Sequence, residues 1–150
     1  MTDILKIEQI ALEVLRKQKF HLPQAIIIGK DGKVNIIAMS IKSDADKKSV
    51  VESLRKMVDD FNSESYYLIL EAWVTLVDKQ HNKETTTEAV IIHHFQKNKP
   101  WRFIMNKFSK TESGDIVIIE RNDVSEGDYK KSTSIWDVWN GQQGHRLEEV

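Results

Sequence analysis

The sequence contains no cysteine, only 2 proline and 6 glycine residues, and no apolar run long enough to cross a membrane. Without cysteine, a disulfide framework, a thiolate nucleophile and a cysteine-based zinc site are all excluded. A membrane-spanning helix needs about 20 apolar residues in succession. Residues 1–20 carry charges throughout, which is unlike a signal peptide. These absences predict a cytoplasmic protein that does not enter a membrane.

The charge balance also excludes a strong general attraction to nucleic acid or anionic lipid, because the formal net charge is only -1. The length of 150 residues, with 40% hydrophobic and 30% charged residues, fits one globular domain over residues 1–150. Residues 123–150 are rich in glycine, serine and charge and show little periodicity. We expect them to form a loosely structured or docking C-terminal tail, with Trp136 and Trp139 as its anchors.

Apolar residues recur at helical spacing over residues 4–19 and again over residues 43–62. Between these helices, Asp31-Gly32 separates two β-branched runs, which predicts a hairpin with strands near 24–30 and 33–40. Four further strands are predicted at 65–78, 86–98, 101–110 and 116–122.

The resulting pattern, α-ββ-α-ββββ, predicts an α+β fold. We expect a six-stranded, largely antiparallel sheet in the order 2-1-3-4-5-6. The second helix returns the chain over the first hairpin, so that the third strand lies beside the first. Both helices are expected on one face of the sheet.

The opening order α-β-β-α-β resembles that of cytidine-deaminase-like domains, and the first helix and hairpin are similar to those of profilin-like and roadblock-type modules. The zinc motifs H-x-E and P-C-x-x-C are absent from this chain. The resemblance therefore implies a shared architecture without deaminase activity. The profilin-like and roadblock-type likeness implies dimerisation or partner binding.

Alternation along residues 65–78 separates an uninterrupted apolar face from a second face that carries Glu71. A turn centred on residues 81–84 pairs Glu71 with His94 across the next strand. The second face then forms a ligand or interface surface, left open by the helices and consisting of Ile69, Glu71, Trp73, Thr75, Ile92, His94, Arg102, Ile104 and Asn106.

The sequence supports three functions, of which the first two use this surface. The first is a non-enzymatic domain that binds a protein partner, a second copy as a homodimer, or a small ligand around Glu71 and Trp73. The alternative is a small hydrolase-like enzyme in which Glu71 and His94 form the acid–base pair, with Thr75 as the nearest hydroxyl. His93 and His94 point to opposite faces, so we expect no metal site, and no motif indicates a cofactor.

The third function is nucleic-acid binding through residues 95–110, where basic side chains alternate with aromatic ones. Phe95, Trp101 and Phe103 share the predicted core face, which favours a packing role for them. Nucleic acid is therefore the least favoured partner of the three.

Overall fold

The structure is a computed structural model that describes residues 3–78, 80–125, 134 and 136–139. Its elements are α1 (Ile4–Gln18), β1 (Gln24–Ile28), β2 (Val34–Ala38), α2 (Asp44–Asp60), β3 (Ser65–Asp78), β4 (Lys83–Gln96), β5 (Arg102–Lys110) and β6 (Ile116–Ser125). They form one six-stranded sheet in the order β2-β1-β3-β4-β5-β6, with antiparallel pairing throughout. The predicted α+β class, element order and strand order are confirmed.

Local side-chain chemistry sets where the helices and the first hairpin begin and turn. The Asp3 carboxylate accepts a hydrogen bond from the backbone N–H of Lys6 at 2.9 Å and caps α1. The Ser43 hydroxyl caps α2 by accepting from the N–H of Asp46 at 3.3 Å. Gly32 has a φ of 84°, a left-handed conformation that suits glycine in the β1–β2 turn. These signals are readable in the sequence.

The two helices pack on opposite faces of the sheet. Buried residues of α1 contact Tyr67 and Ile69 of β3, whereas buried residues of α2 contact Tyr66 and Leu68. Because neighbouring strand residues point to opposite faces, the prediction that both helices lie on one face is wrong. The physical reason is that Tyr66 to Ile69 are all apolar and all buried, so both faces of the central strands need a cover.

The predicted register between the third and fourth strands is also wrong. Glu71 lies opposite Val90, and His94 lies opposite Tyr67, so each partner is displaced by four residues from the expected one. The strands reach to Asp78 and Lys83, and residues 80–82 form a turn between them. A displacement by an even number of residues keeps each side chain on its predicted face. The face assignments therefore survive although the pairs do not.

Part of the C-terminal segment docks on the face that carries α2. The Tyr66 hydroxyl donates a hydrogen bond to the carbonyl of Trp136 and accepts one from the N–H of Val138 at 2.9 Å. The Trp139 ring lies 5.3 Å from the Tyr66 ring, measured between centroids. Residues 123–125 belong to β6, and the predicted tail residues 126–133, 135 and 140–150 lie outside the described part of the chain.

We expect the substitution Tyr66→Phe to lower the free energy of unfolding by about 1–3 kcal/mol. It leaves the buried N–H of Val138 without the acceptor that it now uses, and such a group costs stability when unsatisfied. Urea denaturation followed by far-ultraviolet circular dichroism measures the loss. Unchanged stability would show that the segment docks without help from this hydroxyl.

Candidate functional site

The face on which the sequence places Glu71 is crossed by α1. This helix buries Ile69, Ile92, Ile104 and Asn106, four of the predicted contact residues. In the folded chain these four side chains are core residues. What is left accessible on this face lies beside the helix and beyond its ends.

Glu71 holds the connection between α1 and β1. Its carboxylate accepts a hydrogen bond from the backbone N–H of His21, a buried residue. The His21 ring in turn lies with Nδ1 2.7 Å from the carbonyl oxygen of Leu22, so Nδ1 carries the proton of this contact. The Glu71 carboxylate therefore has a hydrogen-bond donor within the chain, the backbone of the loop between α1 and β1.

Trp73 and Thr75 follow Glu71 on the same face and are exposed. The Trp73 side chain is 71% accessible, the highest fraction among the large hydrophobic residues that the structure describes. Glu88 of β4 lies directly opposite it. An indole so exposed is suited to contact with another molecule.

His94 meets a different set of side chains from the one that the sequence predicts. Its Nε2 lies 2.9 Å from the Ser65 hydroxyl, and its ring stacks on Tyr67 with centroids 4.1 Å apart and planes inclined by 15°. Burial lowers the pKa of His94 to about 4, with smaller contributions from the positive charges of Arg102 and Lys99. The imidazole is consequently neutral at pH 7.

Arg102 lies opposite His94 and forms a bidentate ion pair with Asp123 of β6. The two hydrogen bonds, from Nε and one terminal nitrogen, measure 3.0 and 2.6 Å. They raise the pKa of Arg102 and lower the pKa of Asp123. This pair ties β5 to β6 beside the site.

A second polar cluster, which the sequence analysis missed, fastens α1 to the sheet. Glu8 accepts hydrogen bonds from the Asn106 amide at 2.7 Å and from the Arg121 guanidinium at 2.8 and 3.0 Å. Burial raises the pKa of Glu8, but the bonds from Arg121 and Asn106 together with the charge of Arg121 outweigh it, so the pKa is lowered overall. The sequence does contain an indication of this cluster, because Glu8 is a charged residue on the apolar stripe of α1 between Ile4 and Leu15.

A groove runs between α1 and β2, with a volume of about 230 Å³. Isoleucine and valine side chains dominate its lining, namely Ile7, Ile10, Val14, Ile26, Val34 and Ile36. Ile36 is 65% exposed, and about half of the Ile10 and Val34 side chains is exposed as well. Phe20 and Leu22, on either side of the groove residue His21 in the sequence, are also exposed. The groove therefore brings several exposed apolar side chains together on this face.

The backbone of β2 adds to this surface because the strand forms one edge of the sheet. Natural edge strands are usually protected by lysine, proline or a bulge. Residues 34–38, VNIIA, contain neither charge nor proline. An unprotected apolar edge beside an apolar groove indicates a contact surface.

The aromatic side chains of residues 95–110 pack against one another and against the core. Phe95 and Phe108 are buried, and Trp101 stacks on His93, with ring centroids 5.6 Å apart and planes inclined by 16°. The indole N–H of Trp101 donates to Nδ1 of His93 at 3.2 Å, and burial lowers the pKa of His93 to about 4. The predicted packing role of Phe95, Trp101 and Phe103 is confirmed.

No helix among the described residues is long and apolar enough to span a membrane. No group of three or more histidine, aspartate or glutamate side chains within the described ranges is placed to hold a metal ion. Comparison with protein-family models, with curated proteins and with solved structures finds no match to this chain.

Proposed function

We propose that this protein is a binding domain that docks an amphipathic helix of another polypeptide in the groove between α1 and β2. The observation that carries the proposal is the exposure of Ile36, Val34 and Ile10 around one apolar groove beside an unprotected edge strand. Monomeric proteins rarely leave such grouped apolar side chains in water. The cytoplasm, predicted from composition, is the proposed compartment for this encounter.

The shape of the groove favours a helix as the occupant. On this face α1 packs over β3, β4 and β5 and also covers Ile26 of β1, while Val34 and Ile36 of β2 stay exposed. The groove therefore has the side of α1 as one wall and exposed apolar side chains of β2 as the other. An amphipathic helix laid beside α1 would cover these side chains with its own apolar stripe.

A second copy of this chain covers the groove less well. Antiparallel pairing of two β2 edges would extend the sheet but would leave Val34 and Ile36 of both copies exposed on this face. The outward surface of α1 carries exposed Leu5 but is otherwise polar, with Gln9, Glu13 and Arg16 exposed, so it suits an apolar groove poorly. The homodimer predicted from the sequence thus becomes the competing outcome of the experiment.

Charge further defines the partner helix. Lys6 lines the groove, and no acidic residue among those described does so. A helix with apolar residues at positions i, i+3, i+4 and i+7 and with glutamate or aspartate beside this stripe would satisfy both the groove and Lys6. Exposed Trp73 offers a further contact on the same face.

Selection from a displayed library of 16-residue helices, with the purified full chain as target, tests the proposal. We expect the selected peptides to carry the apolar stripe and acidic flank just described. Ile36→Glu should weaken their binding at least about tenfold, since it sets a carboxylate in the floor of the groove. Fluorescence polarisation of a labelled selected peptide measures the change.

Ile119→Glu is the matched control. Ile119 is 55% exposed on β6 and does not line the groove, so this variant should bind the peptide as the wild type does. Equal loss of affinity in both variants would contradict the groove as the site. A concentration-dependent dimer in sedimentation velocity, dissolved by Ile36→Glu, would assign the groove to a second copy instead.

A further inference from the structure

A second cleft, with a volume of about 580 Å³, opens at the end of the sheet where α1 begins. One wall is apolar and includes Ile28 and Val34. The other wall is polar and includes Ser65, Tyr67, His94 and Gln96. The cleft therefore combines an apolar surface with hydroxyl, imidazole and amide groups, the mixture found in small-molecule sites.

Ser65 and His94 are in contact across β3 and β4. The serine hydroxyl lies 2.9 Å from Nε2 of the imidazole. This distance is within the range over which a histidine removes the proton of a nucleophilic hydroxyl. The stacking of the imidazole on Tyr67 fixes the plane of the ring.

The backbone carbonyl and N–H groups of Ser65 contact the hydroxyl of Ser63. They do not use the hydroxyl of Ser65 itself, which is left to contact His94. Ser63 Oγ lies 2.7 Å from the carbonyl oxygen of Ser65 and 3.2 Å from its amide nitrogen. The same oxygen lies 2.6 Å from the carbonyl of Ile28 and is buried with the rest of Ser63. Within the described part of the chain, the Ser65 hydroxyl contacts the His94 side chain.

We propose that Ser65 and His94 form a nucleophile–base pair that hydrolyses small, uncharged carboxylic esters in this cleft. Ser65 is the nucleophile and His94 is the general base. Gln96 lies directly opposite Ser65 in the sheet, on the same face, so its amide is placed to donate to the carbonyl oxygen of the ester. Ile28 and Val34 would contact the acyl chain.

The reaction balances in two steps. In the first, Ser65 Oγ bonds to the ester carbonyl carbon while its proton passes to His94 Nε2; the bond to the alcohol oxygen breaks, and that oxygen takes the proton from Nε2. In the second, water adds to the acyl-serine and gives a proton to Nε2. The carboxylic acid leaves as Ser65 regains that proton.

The environment of His94 sets its protonation state. Tyr67 faces it from β3, Arg102 from β5 and Lys99 from the β4–β5 turn, while Asp3 lines the cleft from the start of α1. With its pKa lowered to about 4, the imidazole is unprotonated at pH 7, as a base must be. The low pKa also weakens it as a base, so we expect slow turnover.

Labelling with a fluorophosphonate probe, which forms a covalent bond to nucleophilic serine with loss of fluoride, tests the pair on the full chain. We expect a mass increase that maps to Ser65 and hydrolysis of p-nitrophenyl butyrate by the unlabelled protein. Ser65→Ala should abolish the labelling. His94→Gln preserves an acceptor for the hydroxyl but no base, and should slow the labelling about 100-fold or more.

Ser109→Ala, which removes an exposed hydroxyl on β5, is the control and should label at the wild-type rate. Ile36→Glu should also label normally, because Ile36 lines the other groove, so this test fails or succeeds independently of helix docking. Absence of labelling at Ser65 in the folded wild type would overturn the proposal. Labelling that survives in His94→Gln, with unfolding temperature unchanged, would overturn the role of the base.

Discussion

Replacing Phe108 with alanine is expected to lower the free energy of unfolding by about 3–5 kcal/mol, the usual cost of removing a buried phenylalanine. The Phe108 side chain is 1% exposed and packs in the cluster formed by α1 and the sheet. It lies on β5 at a register shift against β6, between positions 107 and 108. Alanine there would leave a cavity in this cluster, to which Leu15 of α1 also belongs. Urea denaturation followed at 222 nm measures the loss.

Val117→Ala is the matched control for this cavity. Val117 is a branched apolar residue on the neighbouring strand and is about half exposed. Its truncation should change stability by no more than about 0.5 kcal/mol, as is usual at exposed positions. If Phe108→Ala costs less than about 1 kcal/mol, the cluster under α1 contributes little, and the helix must be held mainly by its polar contacts.

The strand order was predictable because local signals agreed with one another. Asp31-Gly32 marks the first hairpin, and alternation from residue 65 to residue 78 gives the bounds of β3 that the structure has. The sequence analysis did not predict that α1 packs on the opposite face of the sheet from α2, although the sequence contains an indication of this. Residues 25–28, AIII, and 66–70, YYLIL, are apolar on both faces, which is typical of strands covered on both sides.

The register could not be predicted from the turn between β3 and β4. Residues 79–84, KQHNKE, contain no glycine, and Asn82 is the residue that adopts a positive φ, of 52°. Thr85, Thr86 and Thr87 are equally acceptable in a strand or a loop, and alternation is satisfied by any even displacement. Alternation therefore places His94 on the face that carries Glu71, but it does not predict that His94 meets Ser65.

The contact between Glu8 and Arg121 could not be predicted from local sequence patterns. The two residues are 113 positions apart, and they meet only because α1 crosses β5 and β6. Local periodicity places Glu8 on a helical stripe but does not identify its partner. An acid on an apolar stripe indicates that a partner is needed, because an unpaired buried charge is costly.

We expect Glu8→Gln to lower the free energy of unfolding by about 1.5–3 kcal/mol at pH 7, the usual worth of hydrogen bonds to a charged group. In the wild type, the buried Asn106 amide donates to the Glu8 carboxylate. Glutamine has one acceptor oxygen, so the Arg121 guanidinium loses its bidentate contact with the two carboxylate oxygens. Chemical denaturation at pH 7 measures the difference. Glu13→Gln, the same change at an exposed position of the same helix, is the control and should be within about 0.5 kcal/mol of wild type.

The pH dependence gives a second measure of the Glu8 contact. In the folded chain the pKa of Glu8 is lowered from its ordinary value of 4.5. Its contribution to stability is therefore fully present above pH 4.5 and is lost as the pH falls through the folded pKa, where the carboxylate takes up a proton. The difference in stability between wild type and Glu8→Gln should accordingly be constant from about pH 8 to pH 6 and shrink towards pH 3. A difference that is unchanged at pH 3, or that grows there, would mean that Glu8 is not ionised in the folded protein, and the fastening of α1 would then depend on the apolar cluster around Phe108.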